Sequence, residues 1–283
     1  MPEILRADTA GFCMGVDLAL RKLNSQVKAE DQSSIFTFGP IIHNPQVLAH
    51  YAAQGVCEAN TPSAIPANSR AVIRAHGIPR FLEEQLRTKG VILVDATCPK
   101  VKKAQILIEK ETSQGRHLLL FGESDHPEVK GLLSYADADA LVFDSLPQLQ
   151  EQRLHPEKQY FLAAQTTQDR EEFRNIRDYL HGHVDAAMPI FDTICDATRE
   201  RQMEAKRLAE KVDYMIVVGG LTSGNTRRLA QVITAQGTPC AHIEQAEELP
   251  VPGLENVQRI GLTAGASTPK YIIDAVEHRL LTL

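Results

Sequence analysis

The sequence predicts an α/β protein built from three related modules, each with a small parallel sheet. Three observations predict it. Short apolar runs alternate with segments whose apolar residues recur at helical spacing, the pattern of strands joined by crossover helices. Cys13, Cys98 and Cys195 each stand where an extended run gives way to a helical pattern. A glycine turn then follows each cysteine at a matched distance: 26 residues for the pair 13/39, and 24 for both 98/122 and 195/219. One such match is chance; three in the same order are a repeat. The boundaries therefore fall at the cysteines: an N-terminal segment 1–13 carrying the first of them, then α/β domains 14–97, 98–194 and 195–283.

Composition bounds the rest. With 283 residues, 43% hydrophobic and 23% charged, the chain can bury a sizeable core. No apolar run approaches a membrane span, and Met1 to Arg6 lack a secretory pattern, so the default expectation is a cytoplasmic protein. A net charge of −6 argues against nonspecific nucleic-acid binding. Five scattered cysteines, an odd count, favour metal binding or catalysis over a disulfide framework. Cys57 and Cys240 lack the junction setting and read as packing residues.

In the first module, Val16, Ala19, Leu20, Leu23 and Val27 share one face of a predicted helix over 16–28. A strand over 35–38 runs into Gly39-Pro-Ile-Ile-His43-Asn-Pro, and a second helical pattern follows. After a Pro/Ser/Asn-rich loop at 61–69, a strand over 71–74 opens on Ala75-His76-Gly77, and 81–87 reads as helix. Val91 to Val94 form a strand leading to Asp95-Ala-Thr-Cys98-Pro99. Pro99 suits the first helical position, where its missing N–H costs nothing. The second module repeats the order: helix 99–112, strand 117–121, Gly122-Glu-Ser-Asp-His126-Pro-Glu128, strand 140–143, and strand 160–163 opening on Ala164-Gln165-Thr166-Thr167. The third runs from Cys195 through a helix to strand 214–218, then Gly219-Gly-Leu-Thr-Ser223-Gly224-Asn225, a helix over 227–232, strand 259–262 and Thr263-Ala-Gly-Ala-Ser267-Thr-Pro269. In parallel sheets ligands bind beyond the carboxyl ends of the strands, where all these turns lie.

The turns carry chemistry. A thiolate before a helix faces unpaired N–H groups and the positive end of the helix, which lower its pKa. A single cysteine there is equally well a small buried hydrophobe; three point to one shared centre. Three thiolates without a C-x-x-C pair leave one coordination position open and suit zinc or an iron–sulfur cluster. His43, His76 and His126 stand at matched turns, and Thr166, Thr167, Ser223, Asn225 and Ser267 add donors. Helix N-termini with such residues bind anions, phosphate above all, yet neither nucleotide-binding glycine motif is present. Glu128, beside His126, suits proton delivery, although a solvated first-turn glutamate is the plain alternative.

These residues resemble the 4-hydroxy-3-methylbut-2-enyl diphosphate reductase family. The resemblance rests on the three cysteine turns with Gly-Pro-x-x-His43-Asn-Pro, Arg74-Ala-His76-Gly, Asp-Ala-Thr-Cys98-Pro, His126-Pro-Glu128-Val, Gln165-Thr-Thr and Thr-Ala-Gly-Ala-Ser267. It spans almost the whole chain. It implies a pseudo-threefold trefoil of the three domains around one [4Fe–4S] cluster held by Cys13, Cys98 and Cys195. It further implies that the substrate hydroxyl meets the open iron, and that His43, His76, His126, Ser223, Asn225 and Ser267 hold the diphosphate. Glu128, Thr166 and His126 form the implied catalytic set, Thr166 and Glu128 relaying a proton to the departing hydroxyl. Two electrons, from a ferredoxin or flavodoxin type donor, and two protons then give water plus isopentenyl or dimethylallyl diphosphate, ending the methylerythritol phosphate pathway to isoprenoids. Two positions depart from the family pattern. Gly224 stands where a second serine is common, leaving only backbone N–H, and Arg199-Glu200 replace a pair that often includes Asn.

Two other readings use part of the same residues. A cluster- or zinc-binding redox sensor needs the cysteines but neither Glu128 nor the Thr/Ser turns. A cluster-dependent dehydratase acting on another anionic substrate needs no external electrons.

Overall fold

In the computed structural model, which describes residues 2–29, 33–136, 139–255 and 257–282, the apolar runs form three small sheets, all parallel. The chain divides into two compact units: Met1–Asp17 with Ile42–His50 and Asp196–Leu283, and Leu18–Ile41 with Tyr51–Cys195.

The second unit holds two sheets. Strands β2 (Ile35–Phe38), β3 (Cys57–Ala59), β4 (Arg70–Ile73) and β5 (Ile92–Asp95) lie in the order β3-β2-β4-β5. Strands β6 (His117–Phe121), β7 (Leu141–Phe143) and β8 (Tyr160–Ala164) lie in the order β7-β6-β8, and an isolated parallel bridge pairs Leu162 with Ile190 beyond β8. The first unit holds β1 (Glu3–Arg6), β9 (Tyr214–Val218), β10 (Cys240–Ile243) and β11 (Arg259–Ala264), ordered β1-β11-β9-β10. The three sheets share one plan. Each central strand leads to a glycine turn, and Gly39, Gly122 and Gly219 donate to Ala59, Phe143 and Ile243 at 2.8 Å. On the far side of each sheet β5, the Ile190 bridge and β1 occupy equivalent places, each just ahead of a cysteine. The N-terminal segment thus adds the last strand to the sheet of the C-terminal residues.

Helices fill the crossovers: α1 (Met14–Val27), α2 (Pro45–Ala52), α3 (Arg80–Thr88), α4 (Pro99–Ser113), α5 (Pro127–Leu133), α6 (Leu146–Gln150), α7 (Arg170–His183), α8 (Asp196–Ala209), α9 (Gly224–Thr234) and α10 (Lys270–Leu281). Strand alternation divides the cores. Leu119 and Phe121 pack with Phe143, Phe173 and Ile176, while Leu118 and Leu120 pack with Ala104, Ile108 and Leu132. Ile216 and Val218 face Ile273 and Val276, whereas Met215 and Val217 face Ala205, Leu229 and Ile233. Both faces of these sheets are buried, as parallel strands require.

Cys57 corrects a sequence expectation. It lies in β3, an edge strand, and is exposed, so it is not a packing residue. Cys240 does pack, beside the Met215 core, and burial pushes its thiol up to about 11.

Candidate active site

Each of the three junction cysteines is outside any disulfide, half-buried and placed directly before a helix: Cys13 before α1, Cys98 as the cap of α4, and Cys195 before α8. Their backbones are held alike. Cys98 donates to the Ala75 carbonyl at 2.8 Å, Cys195 to Thr166 at 2.9 Å and Cys13 to Ala266 at 3.2 Å. Each cysteine is therefore tied to the turn after the neighbouring strand of its own sheet. The aspartates three residues ahead of two cysteines shape the approach: Asp95 accepts from the Thr97 N–H at 2.9 Å, and Asp192 from Ile194 at 3.2 Å. The donor set is three thiols outside any disulfide, each exposed enough to reach a ligand. This chemistry fits a thiolate-held iron–sulfur group.

Around β6 and β8 the structure brings His76, His126, Glu128 and Thr166 together. His126 caps α5, its Nδ1 accepting from the Glu128 N–H at 3.1 Å. That bond fixes the ring, and the His76 ring meets it edge-on with centroids 5.3 Å apart. Glu128 is only 1% exposed, which rules out the solvated reading. Its carboxylate accepts from the Thr166 N–H at 2.6 Å and the Thr166 hydroxyl at 2.9 Å. Burial raises the carboxyl from 4.5 to about 7, outweighing the two bonds that favour the charged form. A proton can thus be held or released there near neutral pH.

Gln165 is a site-shaping residue that residue-type reasoning passed over. Fully buried, it donates to the Thr167 hydroxyl at 3.0 Å and accepts from the Glu123 N–H at 3.0 Å. It thereby joins the glycine turn of β6 to the threonine turn of β8. Its place between the Ala164 strand end and two threonines was the available signal.

The first unit assembles His43, Ser223, Gly224, Asn225 and Ser267. Ser267 donates to the His43 carbonyl at 3.1 Å, and a Cβ on Gly220 would lie 2.4 Å from that same oxygen. Only glycine lets the β9 turn approach so closely. Ser223 caps α9, accepting from the Thr226 N–H. Gly224 is the first residue of that helix and its backbone is not left-handed. The Asn225 amide nitrogen is buried with no hydrogen-bond partner among the described residues. A buried donor without an acceptor, beside the open N–H groups of a helix start, is what an anionic oxygen satisfies. Arg199 lies 3.9 Å from Asp196 in the first turn of α8, and Glu200 is exposed; among the described residues no hydrogen bond or ion pair links either to these turns.

Comparison with known proteins adds an independent line. The family described as LytB protein matches residues 4–281. A 4-hydroxy-3-methylbut-2-enyl diphosphate reductase of Solidesulfovibrio magneticus is 57% identical, covering 98% of this chain and 99% of that protein. Its counterpart in Geobacter sulfurreducens is 41% identical over 98% and 96%. A solved structure of (E)-4-hydroxy-3-methyl-but-2-enyl diphosphate reductase, described as the terminal enzyme of the non-mevalonate pathway, superposes with a TM-score of 0.71 at 38% identity, covering both chains fully. The E-1-hydroxy-2-methyl-but-2-enyl-4-diphosphate reductase of Plasmodium falciparum gives 0.94 at 25% identity, covering 100% of this chain and 88% of that one. Among the described residues no helix is long and apolar enough to cross a membrane.

Proposed function

We infer the activity from one premise: this chain belongs to the LytB protein family. It is an oxidoreductase of the non-mevalonate pathway, acting on (E)-4-hydroxy-3-methylbut-2-enyl diphosphate. The reaction replaces the allylic hydroxyl by hydrogen: two electrons and two protons enter, the C–O bond breaks, and water leaves with isopentenyl or dimethylallyl diphosphate. Cys13, Cys98 and Cys195 would hold a [4Fe–4S] cluster, which when bound supplies the electrons and a Lewis-acidic iron. The electrons come from a low-potential donor of the ferredoxin or flavodoxin type.

The observation that carries the reading is the buried Glu128–Thr166 pair. Hydroxide is a poor leaving group, so a proton must reach the oxygen as the bond breaks. Glu128 holds that proton near neutral pH and Thr166 passes it on, since its hydroxyl can donate outward while accepting from the carboxyl. His126 is oriented by the same turn, with His76 against it. These rings, His43, Thr167, Ser223, Asn225, Ser267 and the N–H of Gly224 supply donors for the diphosphate. The orphan Asn225 amide favours an anionic guest over a sensor without substrate.

The test is an anaerobic assay of reconstituted protein with a chemically reduced low-potential donor and the allylic diphosphate. Formation of the two isoprenoid diphosphates with consumption of two electrons per turnover is expected. Loss of water without electron uptake would establish a dehydratase instead, and cluster binding without turnover would favour a sensor.

A further inference from the structure

The loop between β1 and α1, which carries Cys13, is tied by backbone at its ends, Ala7 donating to Leu262 at 2.9 Å and Cys13 to Ala266 at 3.2 Å, with one turn bond from Ala10 to Ala7 at 3.3 Å between them. Helix α8 holds it through two residues three apart on one face. The Glu204 carboxylate accepts from the N–H groups of Asp8 at 2.8 Å and Thr9 at 2.9 Å, and from the Thr9 hydroxyl. The Arg201 guanidinium, 4% exposed, donates to the Thr9 carbonyl from Nε at 3.1 Å and Nη2 at 2.6 Å, and to the Gly11 carbonyl at 2.8 Å. Burial pushes the Glu204 carboxyl up, but the bonds from Thr9 and Asp8 outweigh it and hold it below the ordinary carboxylate range. Glu204 is therefore charged at neutral pH, as a guanidinium always is, and charge-assisted bonds are the stronger kind. Gly11, at φ +115°, carries the last clamped carbonyl and turns the chain two residues before Cys13.

We propose that Arg201 and Glu204 are positioning residues for Cys13. They fix the backbone of residues 8–11, so the thiol is presented in one place before iron arrives. This rests on the reading of Cys13 as a cluster ligand. Neither residue touches the reacting atoms; both act through the loop. Partners of metal ligands commonly hold affinity in this way.

The test uses full-length protein with Arg201→Gln, Arg201→Lys and Glu204→Ala, and Lys158→Gln as a control, its Asp139 ion pair lying beside a different sheet. Reconstituted proteins are challenged anaerobically with an iron chelator and cluster loss is followed by absorbance. Apo proteins are treated with limiting iodoacetamide, and labelling at each cysteine is counted by mass spectrometry. Arg201→Gln and Glu204→Ala are expected to lose the cluster about ten- to a hundred-fold faster, with Arg201→Lys between them and wild type. Labelling at Cys13 should change at least about three-fold while Cys98 holds steady. Unchanged chelator and Cys13 rates would overturn the proposal. So would Cys13 and Cys98 shifting together with a lowered Tm, since that reports general loosening. A wild-type protein that takes up no cluster sinks the functional reading instead, and the Cys13 labelling ratio still decides the clamp.

Discussion

At Glu128 two influences pull the carboxyl in opposite directions, and burial wins over the two Thr166 bonds. That outcome has a stability consequence with a definite sign. The folded group titrates near 7 and the unfolded one near 4.5. Between those values unfolding releases a proton, so stability is fully present below about pH 4.5 and falls as pH rises through 7. The slope is about 1.4 kcal/mol per pH unit, about 3 kcal/mol in all. Apo Glu128→Gln lacks this dependence, so denaturation curves at pH 5 and pH 8 should show wild type losing stability relative to the variant; parallel behaviour would contradict the raised pKa. The same substitution removes the transferable proton. With cluster content and substrate affinity near normal, kcat should fall by about 10²–10⁴, measured by single turnover of the reduced enzyme. A wild-type rate would take Glu128 out of the mechanism.

Within the β9–α9 turn, two glycines five residues or fewer apart should behave differently. Gly224 has ordinary helical backbone, so Gly224→Ser should fold and shift KM by no more than one hydrogen bond is worth, about 0.5–1.5 kcal/mol or about two- to twelve-fold. Gly220 has no such latitude, because its Cβ would press on the His43 carbonyl, which is backbone and cannot rotate away. Gly220→Ala should cost about 1–3 kcal/mol in chemical denaturation and raise KM more than Gly224→Ser does. The reverse order of KM effects would mean that the turn is not held as described. Longer elements were readable from periodicity because they exceed one or two turns: α4 and α1 are 15 and 14 residues. Strand β3 is three residues, too short for alternation to register. Strand β1 is four residues and exists by pairing with β11, a contact more than 250 residues away.

For the whole molecule, the cysteines divide by setting. Cys13→Ser, Cys98→Ser and Cys195→Ser should each abolish turnover and sharply reduce bound iron, since a hydroxyl is a poor ligand for a soft metal. Cys57→Ser, at an exposed edge, should be silent, and Cys240→Ser should keep iron with a modest loss of Tm. Iron analysis with activity on the same preparations checks all five. Retention of iron in Cys13→Ser with loss in Cys57→Ser would reverse the assignment.

The sequence by itself determined the repeat, because matched cysteine and glycine spacings and apolar periodicity are local and survive without coordinates. It also singled out the residue types at the turns, His43, His76, His126 and Glu128 among them, since chemistry belongs to the side chain. What tertiary structure decided was environment. Whether Glu128 is solvated or buried depends on Thr166, 38 positions away, folding over it. Whether Cys57 packs depends on β3 lying at an edge. The support of Cys13 by Arg201 and Glu204 spans some 190 residues, and no spacing rule reaches that far. Burial, pKa and long-range hydrogen bonds are properties of neighbours, and neighbours distant in sequence are chosen only when the chain folds.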